Sequence, residues 1–425
     1  MGRLARSAVV PLAICALLAA PVASAQERTA APTTGFEQSD GSRWTTPEEE
    51  AEFLRAVDEA SRNVSIEQIG ASTQDRPLRL VRVGAPSART SVLFTCSQHG
   101  DEPSGREACL TSIRDLGFSE DPQVRQFLRT TSVLFVPNAN PDGNVADTRE
   151  NADGVDINRD HLALKSPEAR AIAQALRDEQ PDVVHDLHEY GAKPPYYVKD
   201  FLALWPRHLN TAEGVHGESE RLSEAYVRPA VEDIGFSTGV YGIWTDPETG
   251  EPIKQVAGDG QERILRNTTG VKNAIGLLVE TRVDPLTEEE LADPAVNNHR
   301  RVDSQLAGIS ATLRMMSERR DEIATATTQA RLAGLRDEGP IYFGGADNEP
   351  PAPEQVDENP PCAYRLTADQ FGEVRDELDL HGVRSVPAPD GGRVVPMRQE
   401  ARSLVALLLD SRAEFRLADG QPLSC

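Results

Sequence analysis

The sequence predicts an α/β protein: a mixed, mainly parallel β-sheet sandwiched by helices, followed by a small C-terminal α+β appendage. Near-continuous apolar runs at 91–96 (SVLFTC) and 132–136 (SVLFV), with further strand patterns at 182–187 and 274–279, have the composition of strands covered on both faces. Amphipathic stretches at 104–116 and 166–179 alternate with them, and strands alternating with helices build a helix-flanked sheet. The Pro-rich, acidic, unpatterned stretch 344–361 (GGADNEPPAPEQVDENPP) then breaks the pattern and sets the C-terminal residues 362–425 apart from the sheet.

From the start of the chain, Arg3 and Arg6, the apolar stretch Ala8 to Ala20 and Ala23-Ser24-Ala25 read as a secretory signal peptide over 1–25, which predicts a secreted or periplasmic protein. Cys15 is not read as a lipid-attachment site, because Ile14 stands where a small residue belongs. Residues 26–43 are polar and Thr-rich and predict a flexible leader. Thr46-Pro47-Glu48-Glu49 supplies an N-cap, a first-position proline and a capping-box Glu, predicting a helix through about Ala60. Alternation at Val64–Ile69 and Leu78–Val83 around a polar turn predicts a hairpin, and 287–336 predicts helices. The main domain therefore runs over 44–343, the linker over 344–361 and the appendage over 362–425. Within the appendage Thr367-Ala-Asp-Gln370 opens a helix to Leu380, Arg393–Pro396 predicts a strand, and Glu400–Leu409 another helix.

The 425 residues carry a formal charge of −24, which argues against nucleic acid and anionic membrane as partners and favours encounter with cationic peptides. Beyond the signal no apolar run approaches the roughly 20 residues needed to span a bilayer. Cys96, Cys109, Cys362 and Cys425 remain after cleavage; proximity in sequence favours Cys96 with Cys109 and Cys362 with Cys425, the alternative for the first pair being buried free thiols.

His99-Gly-Asp-Glu102 follows a buried strand and precedes a helix, so an imidazole and a carboxylate, both suitable zinc ligands, project from one turn. Asp182-Val-Val-His185-Asp-Leu-His188 offers a third ligand. Positions 185 and 188 face opposite sides of a strand; His188, at the strand exit, is the ligand, and His185 packs within the fold. Three such ligands leave a fourth position open for water.

Asn140-Pro-Asp-Gly143, Arg149, Asp156-Ile-Asn158-Arg159-Asp160, the strand end Asp186-Leu-His188 and Leu277-Leu-Val-Glu280-Thr-Arg282 come next along the chain, in that order. The set resembles the zinc carboxypeptidase family related to carboxypeptidase A. The resemblance implies that family's fold for 44–343 and one Zn²⁺ per chain on His99, Glu102 and His188. It implies Asp156 as support for His99, Arg149 as the group that polarises the scissile carbonyl, and Asn158 with Arg159 as the clamp on a terminal carboxylate. Glu280 is implied as general base toward water. The family's mobile tyrosine has Tyr241 as nearest candidate, with Tyr196 and Tyr197 behind it. The expected activity is metallocarboxypeptidase cleavage of peptide substrates; oligomeric state is left open.

Other readings stay open at this point. Asp259, in the loop-rich stretch 241–271, either faces the specificity pocket and favours basic C-terminal residues or is a turn aspartate. His161 and His216 are read as structural and exposed respectively. HGDEPSG also resembles the desuccinylase and aspartoacylase branch, which gives an amidase or deacylase acting on cell-wall peptides or N-acyl amino acids as the alternative activity. A non-catalytic binding protein is the remaining class.

Overall fold

Alternating apolar residues make Val64–Ala71 (β1) and Pro77–Val83 (β2) an antiparallel pair around a turn in which Asp75 takes a positive φ of 61° and Ser72 N–H donates to the Arg76 carbonyl at 2.8 Å. The apolar runs form Thr90–Cys96 (β3) and Thr131–Val136 (β4), and later Val183–Tyr190 (β5), Phe201–Leu204 (β6) and Thr238–Val240 (β7). After an outlying hairpin of Ile243–Thr245 (β8) and Pro252–Gln255 (β9) comes Ile275–Arg282 (β10). This computed structural model describes residues 31–255 and 259–425; the signal-peptide reading of 1–25, the start of the leader and Gly258 lie outside the described residues.

Among the described residues the main sheet has eight strands in the order β1-β2-β4-β3-β5-β10-β6-β7. Its four central strands, β4, β3, β5 and β10, are mutually parallel, while β2 and β6 join them antiparallel, giving the predicted mixed sheet. Every residue of β5 and β10 is buried, which explains why their sequence lacks simple alternation.

Helices cover both faces. Gly35–Gln38 (α1) and Pro47–Ala60 (α2) precede the sheet; Ser104–Gly117 (α3), Pro122–Thr130 (α4), Pro141–Ala146 (α5) and Pro167–Glu179 (α6) connect its first half. Glu213–Arg221 (α7), Arg228–Asp233 (α8), Leu265–Val271 (α9), Glu288–Ala292 (α10), Pro294–Glu318 (α11) and Arg320–Arg336 (α12) complete the domain. The core on one face packs α2, α3 and α11 against Val92, Phe94, Val183, Leu187, Leu277 and Val279. The other packs α6 and Leu265 of α9 against Leu93, Leu134 and Val184. Each fully buried large side chain contributes about 1.5–3 kcal/mol, so the central strands hold the molecule together and fix where their ends lie. The predicted capping box of α2 is present, Thr46 and Glu49 each accepting the other's backbone N–H.

The leader reading of 26–43 is corrected from Thr34 onward. A second capping box, Thr34 with Glu37, starts α1, and Phe36 is buried with its ring 5.3 Å from Trp44 and 5.1 Å from His299. Arg114 pairs with Glu37 at 2.5 Å. One well-placed aromatic orders a segment whose composition is otherwise that of a loose chain.

The stretch 344–361 leaves and returns through the paired Ile341–Tyr342 (β11) and Val356–Asp357 (β12), and Asp347 within it accepts from Trp205 Nε1 and Arg207 Nε at 2.7 and 2.5 Å. The appendage folds as Ala363–Leu366 (β13), Val386–Pro387 (β14), Arg393–Pro396 (β15) and Gln421–Leu423 (β16) in the order β14-β15-β13-β16, with Ala368–Leu380 (α13) and Arg402–Leu409 (α14). Its apolar core takes in Leu162 and Val271 of the main domain. Disulfides join Cys96 at the end of β3 to Cys109 on α3, and Cys362 to Cys425. No helix among the described residues is long and apolar enough to cross a membrane.

Candidate metal centre and substrate cleft

Parallel pairing sets the site. β5 and β10 run in register with Glu280 opposite His188, so these two side chains project side by side from neighbouring strands. Residues two apart on a strand share a face; Asp186 therefore points the same way as His188, and His185 points the other way, where its Nδ1 lies 2.9 Å from Thr312 Oγ1 of α11. Strand β5 continues to Tyr190, so His188 sits within the strand and not beyond its exit.

After β3 the chain turns sharply, with Ser97 at φ 52° and Glu102 N–H donating to the His99 carbonyl at 3.3 Å. Gly100 is required in this turn: a Cβ there would fall 1.9 Å from the Gly143 carbonyl carbon and 2.2 Å from Asn144 N. That close approach is set by Asn140, the N-cap of α5, whose side chain also donates to the Gln98 and Arg149 carbonyls at 3.2 and 3.3 Å. The Asn-Pro-Asp-Gly motif thus ties the turn bearing His99 to the loop bearing Arg149. Asp142 serves the fold, accepting from Ser72, the Gln74 amide and Arg76.

Three donor atoms converge. His99 Nδ1 lies 2.7 Å from Glu102 Oε1, His188 Nδ1 lies 2.9 Å from Glu102 Oε2, and the two Nδ1 atoms are 3.2 Å apart. All three residues are buried. On the far sides of the rings, His99 Nε2 is 3.2 Å from Asp156 Oδ1 and His188 Nε2 is 2.9 Å from Asp186 Oδ2. Asp156 and Asp186 accept at Nε2 of the two rings, so with that proton fixed each neutral imidazole would present its Nδ1 lone pair to a metal ion in the common space. Ligand atoms around a tetrahedral zinc stand about 3.3 Å from one another, given bonds of about 2.0–2.1 Å, so the set fits such an ion. Electrostatics agree. Burial opposes a charge on His188, yet Asp186 and Glu102 hold its pKa well above the ordinary histidine value. Burial likewise opposes the Glu102 carboxylate, and His99 and His188 hold it well below the usual range. The spot draws positive charge.

Around this cradle stand the other predicted residues. Arg149 donates from Nη2 and Nε to Asp156 Oδ2 at 2.8 and 3.2 Å, and its Nη1 lies 3.2 Å from His99 Nδ1, so Asp156 bridges the imidazole and the guanidinium at the mouth. Glu280 is buried, and its Oε2 has no hydrogen-bond partner among the described residues. Burial pushes its pKa well above the carboxylate range; His188 opposes this and Glu102 adds to it. The charge of Glu280 is in turn the largest cause that raises Tyr241, with burial adding to it. Tyr197, one of the outsiders, accepts the Gly242 N–H at 2.9 Å through its hydroxyl, and Tyr196 stacks on Trp244 at 6.0 Å.

The predicted pair Asn158 and Arg159 divides. Asn158 is buried; its Oδ1 accepts from Leu265 N–H at 2.9 Å, which aims Nδ2 at Asp186 Oδ2, 3.5 Å away, and leaves it 2.9 Å from His188 Nε2. Its amide is therefore taken up under the cradle, while Arg159 spends one N–H on the Asn158 carbonyl and keeps the rest of its fork. Asp259 binds the backbone and side-chain amides of Gln261, the turn-aspartate reading. His161 is buried against Gln98 Oε1 at 2.6 Å, burial lowering its pKa to about 4, and His216 lies 3.0 Å from Asp347.

Sequence reasoning missed three residues. Asp186 was visible as the same-face neighbour of His188. Gln98 donates to Asp186 at 2.6 Å and accepts from His161, a role no spacing signals. Arg266, on α9, is buried with its Nε unpartnered among the described residues; Nη2 donates to the Asp259 carbonyl at 2.7 Å. Burial lowers its pKa to about 10, and Tyr241, Asp259 and Arg159 are among the groups that act on it.

A family model described as zinc carboxypeptidase matches residues 50–196, a span that holds His99, Glu102, Asp156 and His188 but stops before Glu280. This span is homologous to the zinc carboxypeptidases. Carboxypeptidase 2 of Trichophyton rubrum is 27% identical over 261 residues, covering 57% of this chain and 48% of that protein. Carboxypeptidase SOL1 of Arabidopsis thaliana is 30% identical over 165 residues, 35% of this chain and 33% of that one. The chain thus spans about half or less of the curated relatives it matches. A metallo-carboxypeptidase from Burkholderia cenocepacia shares the fold, with a TM-score of 0.50 at 19% identity over 64% of this chain and 70% of that one.

Proposed function

We propose that the protein is an exported zinc metallocarboxypeptidase that removes the C-terminal residue of peptides. The observation that carries this reading is the convergence of His99 Nδ1, Glu102 and His188 Nδ1 next to an unpartnered, buried Glu280 Oε2. Bound by those three residues, zinc supplies Lewis acidity that makes water nucleophilic at neutral pH. Glu280 takes a proton from the attacking water at Oε2, which no other group holds among the described residues, and returns it to the leaving amine. Arg149, held by Asp156, donates N–H groups to the oxyanion that develops on the scissile carbonyl. Arg159 accepts the substrate's terminal carboxylate. Arg266, with Nε unpartnered and no carboxylate hydrogen-bonded to it among the described residues, favours a terminal residue whose own side chain is acidic. Export is supported by the two disulfides, which persist outside the cytosol.

The deciding experiment measures hydrolysis of one peptide with a free C-terminus, the same peptide C-terminally amidated, and an N-acyl amino acid, by the zinc-loaded protein. Release of the last residue from the free peptide alone is expected. Equal cleavage of the amidated peptide would overturn the assignment of Arg159, and turnover confined to the N-acyl amino acid would replace peptidase with deacylase. Purified protein that retains no stoichiometric zinc would favour the binding-protein class.

A further inference from the structure

The chain is strongly acidic overall, yet a cavity separate from the metal centre is walled by cations. It has a volume of about 210 Å³ and lies where the end of α6 and the turn after α9 meet α12 and the appendage. Arg177, Lys272, Arg331 and Arg384 line it together with His381, and Glu400 is the one carboxylate on its wall among the described residues.

Most of these cations are poorly answered. Arg177 pairs with Asp178 and Asp379, both at 2.7 Å. Among the described residues Lys272 Nζ, by contrast, hydrogen-bonds only the His381 carbonyl at 3.4 Å, and Arg331 only the Gln180 carbonyl at 3.4 Å, with the Asp182 carboxylate acting on Arg331 through its charge. The Arg384 backbone is bonded to Gln399, but its guanidinium has no partner among the described residues. Burial, with Arg177 adding to it, lowers the Lys272 pKa to about 7. Holding like charges together without counter-charge is unfavourable, and a concave cationic wall concentrates anions.

We propose that this cavity binds a small oxyanion of two or more charges, a phosphate or a polycarboxylate, gripped from the core by Lys272 and Arg331 and from the appendage by Arg384. The ligand would join two parts of the chain far apart in sequence, so its binding stabilises the folded state in proportion to the logarithm of its concentration. Lys272, partly deprotonated at neutral pH, would take up a proton as the anion binds. Nothing in this inference depends on the metal centre.

The test titrates the full zinc-loaded chain with inorganic phosphate, sulfate or citrate in separate arms, each against sodium chloride of equal ionic strength, reading heat and thermal midpoint. Saturable binding of one ion per chain, with a midpoint rise of a few degrees beyond chloride, is expected. Preference for phosphate or for citrate separates phosphoryl from carboxylate ligands. Arg384→Gln, an exposed position without side-chain partners, should leave the ligand-free midpoint unchanged and weaken binding about tenfold, the loss of one charge-assisted contact. In the sulfate arm, whose ligand does not itself titrate near neutral pH, Lys272→Met should abolish the dependence of the binding heat on buffer ionisation. A midpoint that follows ionic strength alone, or wild-type affinity in Arg384→Gln, would overturn the proposal.

Discussion

In one region the carboxylates of Glu102, Asp156 and Asp186 surround two imidazoles whose Nδ1 atoms converge on one spot. In another, Arg159 and the buried Arg266 both act on Tyr241 through their charges, with no carboxylate hydrogen-bonded to either among the described residues. The first region is built to hold a cation and the second to receive an anion. Under the proposed function, a substrate that carries a negative end would take one orientation, its terminal carboxylate toward the arginines and its preceding carbonyl toward the cradle.

The contrast breaks most completely at Glu280. Glu280→Gln keeps the size of the side chain and all three metal donors but removes the proton acceptor, so kcat should fall about 10³-fold while zinc content and KM stay near wild type. Activity within tenfold of wild type would remove Glu280 from the mechanism. On the anion side, Arg266→Met should lower kcat/KM for a peptide ending in Glu by about 100-fold and for one ending in Leu by little, since only the former leaves a charge unmet in a buried place. An equal loss on both peptides would make Arg266 a structural residue. On the cation side, Asp186→Asn still meets His188 but no longer as an ionised acceptor. Zinc affinity, measured by competition with a chelator, should weaken 10- to 100-fold, and an unchanged affinity would mean that a neutral amide oxygen at position 186 orients the ring as well as the carboxylate does.

The fold was legible because its central strands are long apolar runs separated by capped helices; the boxes at Thr46 and Thr367 are both formed. The metal ligands were legible because a strand has period two, which put His185 and His188 on opposite faces, and the choice of His188 rested on a strand exit that the structure places two residues later. Period two also contained Asp186, which went unread. What the sequence did not display is everything decided by chain crossing. Asn158 turns inward because α9, more than a hundred residues later, presents Leu265 N–H to it. Arg266 reaches the cleft only because the same helix packs there. The leader failed for a different reason, in that one phenylalanine outweighs a polar composition once an aromatic partner is near.

Glu262 gives the smallest test and isolates what the cradle contributes. Burial also opposes the carboxylates of Glu102, which is buried, and Asp156, which is half-buried, but histidines and an arginine hold them below the usual range. Glu262 is buried with Oε1 unpartnered among the described residues; its own backbone amide and Arg263 oppose burial too little, and burial raises its pKa to about 7. Between the ordinary value of 4.5 and about 7 the folded state then binds a proton that the unfolded state has released. Stability from this group is fully present below pH 4.5, is lost as pH rises through that window, and is flat above it. Glu262→Gln should erase this dependence and stabilise the protein by about 1–3 kcal/mol above pH 7, while changing little at low pH. Denaturant unfolding of both proteins at several pH values measures the difference; a constant offset would mean that Glu262 finds a partner when ionised, and that burial alone does not set the contrast with the cradle.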